Sequence, residues 1–534
     1  MSTSAVETPA RSNPGRAATG PRRWILATVV VLTGLCIFYA IVLTIFWPFT
    51  KQALIDTLQE STLRTVTVQS FHSTYFPPGC VAENIAFERH VHKNKPPIIF
   101  ISKLQAEATY FTLLTFQHDL SVVRLLGMHV TVPPAEVNGK PNPIMPLNSK
   151  SQGRGISIGT ILADGATLDL MWSDPNERPY RIAVDRLAIH SVGRNTSIPY
   201  RVDLKLEDPP GAVHSEGVFG PWNPQDPGRS PMHGSYSYTG ANLAALKGVV
   251  GILNSHGSFT GTLKEVQVKG KADVSNFKVA DTAHARALNA SYDATIDGVH
   301  GNVLLEDVTA QFDGTTVDAK GSITGEEEKK GKRISLELSS DDGRIEDLVR
   351  LFASAPRSPM TGRIVFRGKL NIPPGDGNFV ERMNLLGSFG ITSGRFTDRE
   401  LEEDISRLSH SGSKGKEKEK PVDVLSDLKA RIRATKGIAH LTQVSFSVPG
   451  AHADLDGTYN LMNYTTDMYG LLTTQGSVSD ATTGFKSFAL KVMTPFFKKR
   501  HHVKIVGFKL SGKYGHTNMN VDLDAASEMR KRSQ

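Results

Sequence analysis

A single apolar stretch, residues 24–47, constrains this chain more than any other feature. It reads WILATVVVLTGLCIFYAIVLTIFW and contains no charged residue. A helix of this length, rising ~1.5 Å per residue, is roughly 36 Å long and exceeds the ~30 Å hydrocarbon core of a bilayer. Trp24 and Trp47 lie at its ends, where indole rings favour the headgroup layer, and Pro48 follows. The stretch therefore predicts a transmembrane helix over residues 24–48, with Trp24 and Trp47 as membrane anchors.

Two other interpretations of this stretch fit less well. A cleaved signal peptide has an apolar region of ~7–15 residues followed by a small-residue cleavage site. Here the run is longer, and the residues after it read PFTK. A buried core helix is a poor match for so long an uninterrupted apolar run. We therefore interpret residues 24–48 as an uncleaved anchor.

The charges flanking the stretch predict its orientation. Four arginines and one glutamate precede it, whereas Lys51 alone lies close behind it. The positive-inside rule then places the tail, residues 1–23, in the cytoplasm and the long body on the far side of the membrane. The tail is rich in Ser, Thr, Ala, Pro and Arg, a composition typical of disorder.

Composition limits what the body can be. The 534 residues include 47 Gly, 29 Pro and only two cysteines, one of which, Cys36, belongs to the apolar stretch. A disulfide framework is therefore excluded, and the many Gly and Pro indicate frequent turns. The net charge of +8 suits an anionic membrane surface. Nucleic acid is not an expected partner, because we find no clustered basic face with interleaved aromatic residues.

Alternation of apolar and polar residues dominates the chain after residue 66. Such a period of two predicts strands, and Asp297-Gly298 and Asp313-Gly314 are typical of hairpin turns between them. The predicted fold is mainly β: an N-terminal single transmembrane helix, then a long antiparallel sheet with a few capping helices. Either a closed barrel or a long open sheet curled over itself would manage the edges of such a meander. Two runs give the clearest candidate inner face: Tyr200, Val202, Leu204, Leu206, Ala290, Tyr292, Ala294 and Ile296.

A few segments break the alternation. Apolar spacing predicts helices over residues 51–63, 241–253, 344–352, 398–408 and 484–497, and Pro and Gly predict a loop over 209–231. The last of these helices is expected to cap an open end or seam of the sheet with its aromatic face, which includes Phe488. The predicted regions are a tail (1–23), the transmembrane helix (24–48), an N-terminal β region (49–150), a repetitive sheet or groove region (151–340) and a C-terminal region (341–534).

The chain offers little sign of catalysis. Seventeen histidines are present, but the close pairs, His90 with His92 and His501 with His502, have no Cys, His or Asp at metal-ligand spacing beside them. The sequence contains no HExxH or P-loop motif, and no GxGxxG follows a strand. We therefore expect neither an enzyme nor a cofactor or metal site.

Two parts of the chain resemble the AsmA-like family of envelope proteins. The first is WPF at residue 47 with VTVQSFHSTYFPPGCVAENIAFER at residue 66. The second includes MTGRIVFRG at residue 360, LLGSFGITSGRFTD at residue 385, VLSDLKARIRATKGIAHLTQVSFSVPGAHADLDGTYNL at residue 424 and TTGFKSFALKVMTPFFKK at residue 482. One departure is Arg500-His501-His502, where many relatives have a Gly-rich turn.

The resemblance implies a single-pass bacterial inner-membrane protein with a periplasmic body. It further implies a repeating β-groove lined by apolar side chains, phospholipid movement toward the outer membrane and a role in cell-envelope maintenance. On this view the eight residues of the candidate inner face are lipid-binding.

Two classes of function stay open on sequence grounds. The first is a groove that binds or conducts phospholipid toward the outer membrane. The second is a non-enzymatic scaffold for outer-membrane protein biogenesis, with outer-membrane or envelope assembly proteins as partners. An enzyme on the same anchor is a distant third. The apolar residues could also pack against each other as a closed sandwich core.

Overall fold

A computed structural model defines the fold over most of the chain. It describes residues 29–34, 37–38, 47–62, 64–88, 97–114, 119–132, 136–137, 140–141, 157–171, 178–193, 197–223, 226–246, 249–279, 284–326, 331–352, 358, 360–375, 377–396, 426–448, 451–474, 504–513, 516–522 and 524. Several sequence predictions fall outside these residues: Trp24, His90 with His92, His501 with His502, and the helices over 398–408 and 484–497, including Phe488.

Nearly all the described strands belong to one 23-stranded sheet, and β5 and β6 form a separate two-stranded ladder. The strands are β1 (Val66–Tyr75), β2 (Pro78–Phe87), β3 (Ile99–Glu107), β4 (Leu120–Val132), β5 (Glu136–Val137), β6 (Lys140–Pro141), β7 (Ile158–Leu170), β8 (Tyr180–Val192), β9 (Ile198–Glu207), β10 (Pro210–Phe219), β11 (Pro231–Asn242), β12 (Val249–Thr262), β13 (Glu265–Val279), β14 (Arg286–Ile296), β15 (Val303–Phe312), β16 (Thr315–Gly325), β17 (Lys332–Arg344), β18 (Met360–Ile372), β19 (Asn384–Phe396), β20 (Ser426–Thr435), β21 (Ile438–Val448), β22 (Ala451–Asn460), β23 (Thr465–Thr474), β24 (Lys504–Lys513) and β25 (His516–Val521).

The sheet is an open meander. Apart from β5 and β6, each described strand pairs with the strands before and after it in the sequence, and β1 and β25 are the two edges. These pairings are antiparallel except that of β4 with β7, which is parallel. The β5–β6 segment lies between these two strands in the sequence. The prediction of a mainly β chain with a long antiparallel sheet is therefore confirmed, and the closed barrel is wrong. The sheet also runs without interruption through residue 340, which lies inside β17.

Four α-helices are described after residue 50: α1 (Lys51–Thr62), α2 (Tyr110–Leu114), α3 (Ile345–Phe352) and α4 (Phe379–Arg382). The first and third match the helices predicted over residues 51–63 and 344–352. Among the described residues, no helix combines the length and apolar character that a bilayer crossing requires. Most of the apolar stretch over 24–47 lies outside those residues, although residues 29–34 and 37–38 are helical.

Two predictions of local structure are wrong. The helix expected over 241–253 is replaced by the end of β11, a short 3-10 turn at Leu243–Leu246 and the start of β12. The loop expected over 209–231 contains β10. In both places pairing with adjacent strands overrides local propensity, since β10 and β12 are each hydrogen-bonded on both sides.

The two faces of the sheet differ in chemistry. One face, here called the polar face, carries cross-strand ion pairs, including Lys205 with Asp185 and Lys369 with Glu337, each at 2.8 Å. The side chains that alternate with these along each strand point to the opposite side of the sheet, here called the apolar face. Water therefore solvates one side of the sheet, and the other side presents hydrocarbon.

Side-chain packing shows that the sheet curls. Phe277 and Val279 at the end of β13 belong to the same apolar cluster as Ile372 of β18, Val380 of α4 and Ala434 of β20. On a flat sheet β13 and β18 would lie roughly 24 Å apart, at ~4.8 Å per strand. The helix α3 also lies against β13, β17 and β18. The predicted curling of the sheet is thus present between β13 and β20.

The first four strands form a covered core. Leu54, Ile55 and Leu58 of α1 pack against a cluster that includes Val68 and Ile85, which are buried. The free thiol of Cys80 lies in this cluster, and burial raises its pKa to about 11. The apolar face is therefore covered by α1 at its first strands.

Candidate functional site

The apolar face is continuous from β9 to β24. Because directly paired residues of neighbouring strands point to the same side, the strand register links one residue per strand into a row across the sheet. We call this the central row: Val202, Ser215, Tyr236, Gly257, Gly270, Tyr292, Val308, Ala319, Leu338, Gly368, Gly387, Ile432, Leu441, Gly457, Met468 and Leu510. Glycine, aliphatic and aromatic residues make up almost all of it.

The structure brings the eight residues of the candidate inner face onto this one face. Leu204 of β9 and Ala290 of β14 are joined through Val213, Tyr238, Ser255 and Ala272 in a second row next to the central one. Seven of the eight are half-buried, and Ala294 is buried. In the described part of the chain, the only other sheet is the short β5–β6 ladder, so no second sheet stacks on this face.

A cluster of hydroxyl groups lies on the apolar face, and the sequence did not indicate it. Tyr236 of β11 and Tyr292 of β14 are hydrogen-bonded through their hydroxyls, and Ser255 Oγ of β12 lies 2.6 Å from Tyr292 Oη. Ser255 Oγ also donates to the Lys271 carbonyl at 3.0 Å. We call these three side chains the hydroxyl cluster.

The carbonyl sets the direction of the hydrogen bonds in the hydroxyl cluster. A carbonyl oxygen only accepts, so the Ser255 proton is used there and Ser255 Oγ accepts from Tyr292. Tyr292 in turn accepts from Tyr236. All three protons are thus satisfied internally. Burial and this hydrogen bonding raise the pKa of Tyr236, so its phenol is uncharged at neutral pH.

Glycines let the two tyrosine rings lie low over the sheet. A Cβ on Gly270 would lie 2.5 Å from Tyr236 Oη and 2.7 Å from Tyr292 Oη, and one on Gly257 would lie 3.0 Å from the Tyr236 ring. The rings therefore occupy the space that side chains at β12 and β13 would otherwise fill. The result is a low floor in the middle of the apolar face, made of ring surface with hydroxyls at its centre.

A surface depression of about 950 Å³ lies on the opposite, polar face. It spans β15 to β20 and is lined by Asp307, Lys320, Glu337, Arg367 and Lys369, among others. Two of its cations are paired, Lys369 with Glu337 and Arg367 with Asp341 at 2.7 Å. The described residues contain no group of three or more His, Cys, Asp or Glu arranged to hold a metal ion.

Of the two predicted membrane anchors, Trp47 is described. It is half-buried and packs against Phe49 and Tyr75, with ring centroids 5.8 and 4.9 Å away.

Comparisons with known proteins add no relative. No protein-family model, no curated protein and no solved structure matches the chain. The resemblance to the AsmA-like family therefore stays a prediction from the sequence.

Proposed function

We propose that the chain is an inner-membrane-anchored periplasmic protein whose apolar face binds phospholipid acyl chains and conducts them toward the outer membrane. The observation that supports this most is the continuous apolar face of one open sheet, with Tyr200, Leu204 and Tyr292 on the same side. This function requires neither a cofactor nor an enzyme's catalytic groups.

The energetics of acyl-chain binding suit such a surface. Moving a methylene from water to an apolar surface contributes about 0.8 kcal/mol, so one tail of ordinary length is held without any polar contact. A chain that slides along a uniform face keeps that burial at each step. The barrier to movement along the central row is therefore low, whereas release into water is costly.

The hydroxyl cluster fits the same proposal. Its protons are satisfied internally, so Tyr236, Tyr292 and Ser255 do not need hydrogen bonds from a ligand. An acyl chain crossing the cluster therefore leaves no donor unpaired. The flat rings also keep the floor low at Gly257 and Gly270, where the chain would pass.

Photo-crosslinking in cells tests the proposal. A photoreactive amino acid at Leu204 or Tyr292 is expected to form phospholipid adducts, detected by mass spectrometry of the purified protein. Lys205 and Ser291 are matched controls. Lys205 follows Leu204 in β9, Ser291 precedes Tyr292 in β14, and both are exposed on the polar face. Lipid adducts at the first pair and not at the controls would support the proposal.

Other outcomes of the same experiment decide against it. Equal adducts at Leu204 and Lys205 would mean that lipid contacts the protein without preference for the apolar face. Adducts to an envelope protein at Leu204 and Tyr292, with no lipid, would favour the scaffold function instead. Mass spectrometry of lipids that co-purify with the full chain would then identify the lipid class where the proposal holds.

A further inference from the structure

A cluster of exposed aromatic residues lies at one end of the first strands. It consists of Tyr75 and Phe76 at the turn between β1 and β2, together with Tyr110 and Phe111 of α2. Phe76 is 88% exposed and Phe111 is 71% exposed, and Tyr75 and Tyr110 are also exposed. We call these four residues the aromatic patch. Exposed aromatic side chains grouped in this way mark an interaction surface.

The aromatic patch is held together by its own contacts. The rings of Phe76 and Tyr110 lie 5.8 Å apart, and Tyr110 Oη donates a hydrogen bond to the Tyr75 carbonyl. Thr109 and Thr112 are hydrogen-bonded to each other at the start of α2. The hairpin turn and α2 therefore present Tyr75, Phe76 and Tyr110 as one surface, and Phe111 is the next residue of α2.

The aromatic patch is also joined to the end of the apolar stretch. Trp47, the last residue of that stretch, packs on Tyr75 with ring centroids 4.9 Å apart. Two residues later, the Phe49 carbonyl accepts a hydrogen bond of 2.8 Å from Ser73 Oγ of β1. The chain that leaves the proposed anchor is thus attached to the strand whose end carries the patch.

We propose that the aromatic patch inserts into the headgroup layer of the bilayer that holds residues 24–47. This inference rests on the proposed membrane anchor. Aromatic rings favour the interfacial layer, and Trp47 marks the depth at which the apolar stretch ends. Because the patch adjoins Trp47, it lies at that depth. The insertion gives the sheet a second contact with the membrane, and it holds the first strands against the surface from which lipid would be taken.

Crosslinking in nanodiscs tests this inference. The full chain is reconstituted into phospholipid nanodiscs with benzoylphenylalanine in place of Phe76 or Phe111, a change that keeps an aromatic side chain. Lipid adducts are expected at both positions, mapped by fragmentation to the glycerol or the first methylenes of the acyl chains. Val299, in the turn between β14 and β15, is 46% exposed and serves as the control, with no adducts expected.

The alternatives are distinguishable. Adducts at Phe76 and Phe111 no more frequent than at Val299 would overturn the inference, as would adducts to a second copy of the chain. Failure of the chain to enter nanodiscs would overturn the anchor and the inference together. The variant with the photoreactive residue at Leu204, measured in the same nanodiscs, reports separately on the apolar face. Lipid adducts at the aromatic patch without adducts at Leu204 would contradict the proposed function and leave this inference standing.

Discussion

Asp169 shows how a single residue of the polar face can be buried and still charged. It is 6% exposed and accepts hydrogen bonds from Arg181 Nε at 2.8 Å and Nη2 at 3.1 Å. His129 Nε2 lies 3.3 Å from the same carboxylate. The hydrogen bond from Arg181 holds the pKa of Asp169 below its usual value. Asp169 of β7 therefore links to His129 of β4, across the parallel pairing, and to Arg181 of β8.

We predict that Asp169→Asn lowers the free energy of unfolding at pH 7 by about 2 kcal/mol, since a hydrogen-bonded charge pair is lost. A depressed folded-state pKa stabilises the protein above the unfolded-state pKa, and this stabilisation disappears as pH falls through the folded-state pKa. The difference between variant and parent should therefore shrink as the pH falls below about 4. Urea unfolding of the full chain in detergent measures it.

Asp185→Asn is the matched control, because Asp185 pairs with Lys205 at 2.8 Å but both side chains are at least half exposed. Exposed pairs contribute about 0–1 kcal/mol. Equal effects of the two substitutions, or a difference independent of pH, would contradict the role given to Asp169.

We also predict that the hydroxyl cluster stabilises the folded chain. Tyr292→Phe removes the hydroxyl that links Tyr236 to Ser255, so we expect a loss of about 1 kcal/mol in unfolding free energy. Tyr200→Phe is the control, because its hydroxyl lies 3.3 Å from Ser215 Oγ in a longer contact. Equal losses for the two variants would show that the cluster contributes nothing beyond an ordinary hydroxyl.

The sequence could not reveal the hydroxyl cluster, although it did place Tyr292 on a strand face. Tyr236 and Tyr292 are 56 positions apart, and their contact depends on the register of β11 to β14 and on Gly257 and Gly270 between them. Alternation predicts which side a residue faces, but it does not predict which residues of other strands lie opposite.

Among the elements, α3 is joined to the sheet partly through the buried carboxylate of Asp347. Asp347 accepts hydrogen bonds from Gly314 N at 3.0 Å and from Thr315 Oγ1 at 2.9 Å. Thr315 is fully buried, and its hydroxyl oxygen also accepts from Arg344 N at 2.9 Å. The helix that lies against β13, β17 and β18 is thus connected to the β15–β16 turn.

We predict that Asp347→Ala lowers the free energy of unfolding by about 3 kcal/mol, because the Gly314 amide and the Thr315 hydroxyl lose a buried acceptor. Asp341→Ala is the control, since Asp341 is exposed and its pair with Arg367 contributes about 0–1 kcal/mol. Denaturant titration of both variants in detergent checks this. An Asp347→Ala variant as stable as the parent would mean that α3 is not joined to the sheet through this residue.

Some elements could be predicted from local pattern and others could not. The helix at Ile345–Phe352 has a strong apolar side and acidic residues, Glu346 and Asp347, in its first turn. Residues 241–253 also show apolar spacing, but Val249 and Val250 are β-branched and Gly251 has a φ of 152°. Pairing of β12 on both sides then decides in favour of a strand.

At the scale of the whole molecule, orientation is the most direct prediction. The proposed topology places residues 1–23 in the cytoplasm and Gln534 on the far side. A reporter that is active only in the cytoplasm, fused after Gln534, should therefore be silent. The same reporter fused to the N-terminus is the control and should be active. Strong activity of the C-terminal fusion would contradict the orientation.

The general architecture could be predicted, whereas its exception could not. Period-two alternation predicts a mainly β chain with an apolar and a polar face, because each strand shows the same pattern locally. The parallel pairing of β4 with β7 has no local signature, and neither does the packing of β13 against β18 and β20. Both depend on contacts between residues distant in the sequence.

The meander also limits how the length of this molecule can change. Each strand pairs only with adjacent ones, so a hairpin inserted between two strands extends the sheet by two spacings, about 10 Å, and leaves the other pairings in place. A single added strand would run parallel to one of the two strands beside it. Parallel neighbouring strands need a long crossover connection. The chain has such a crossover at 133–157, between β4 and β7. The length of the sheet can therefore evolve in steps of one hairpin.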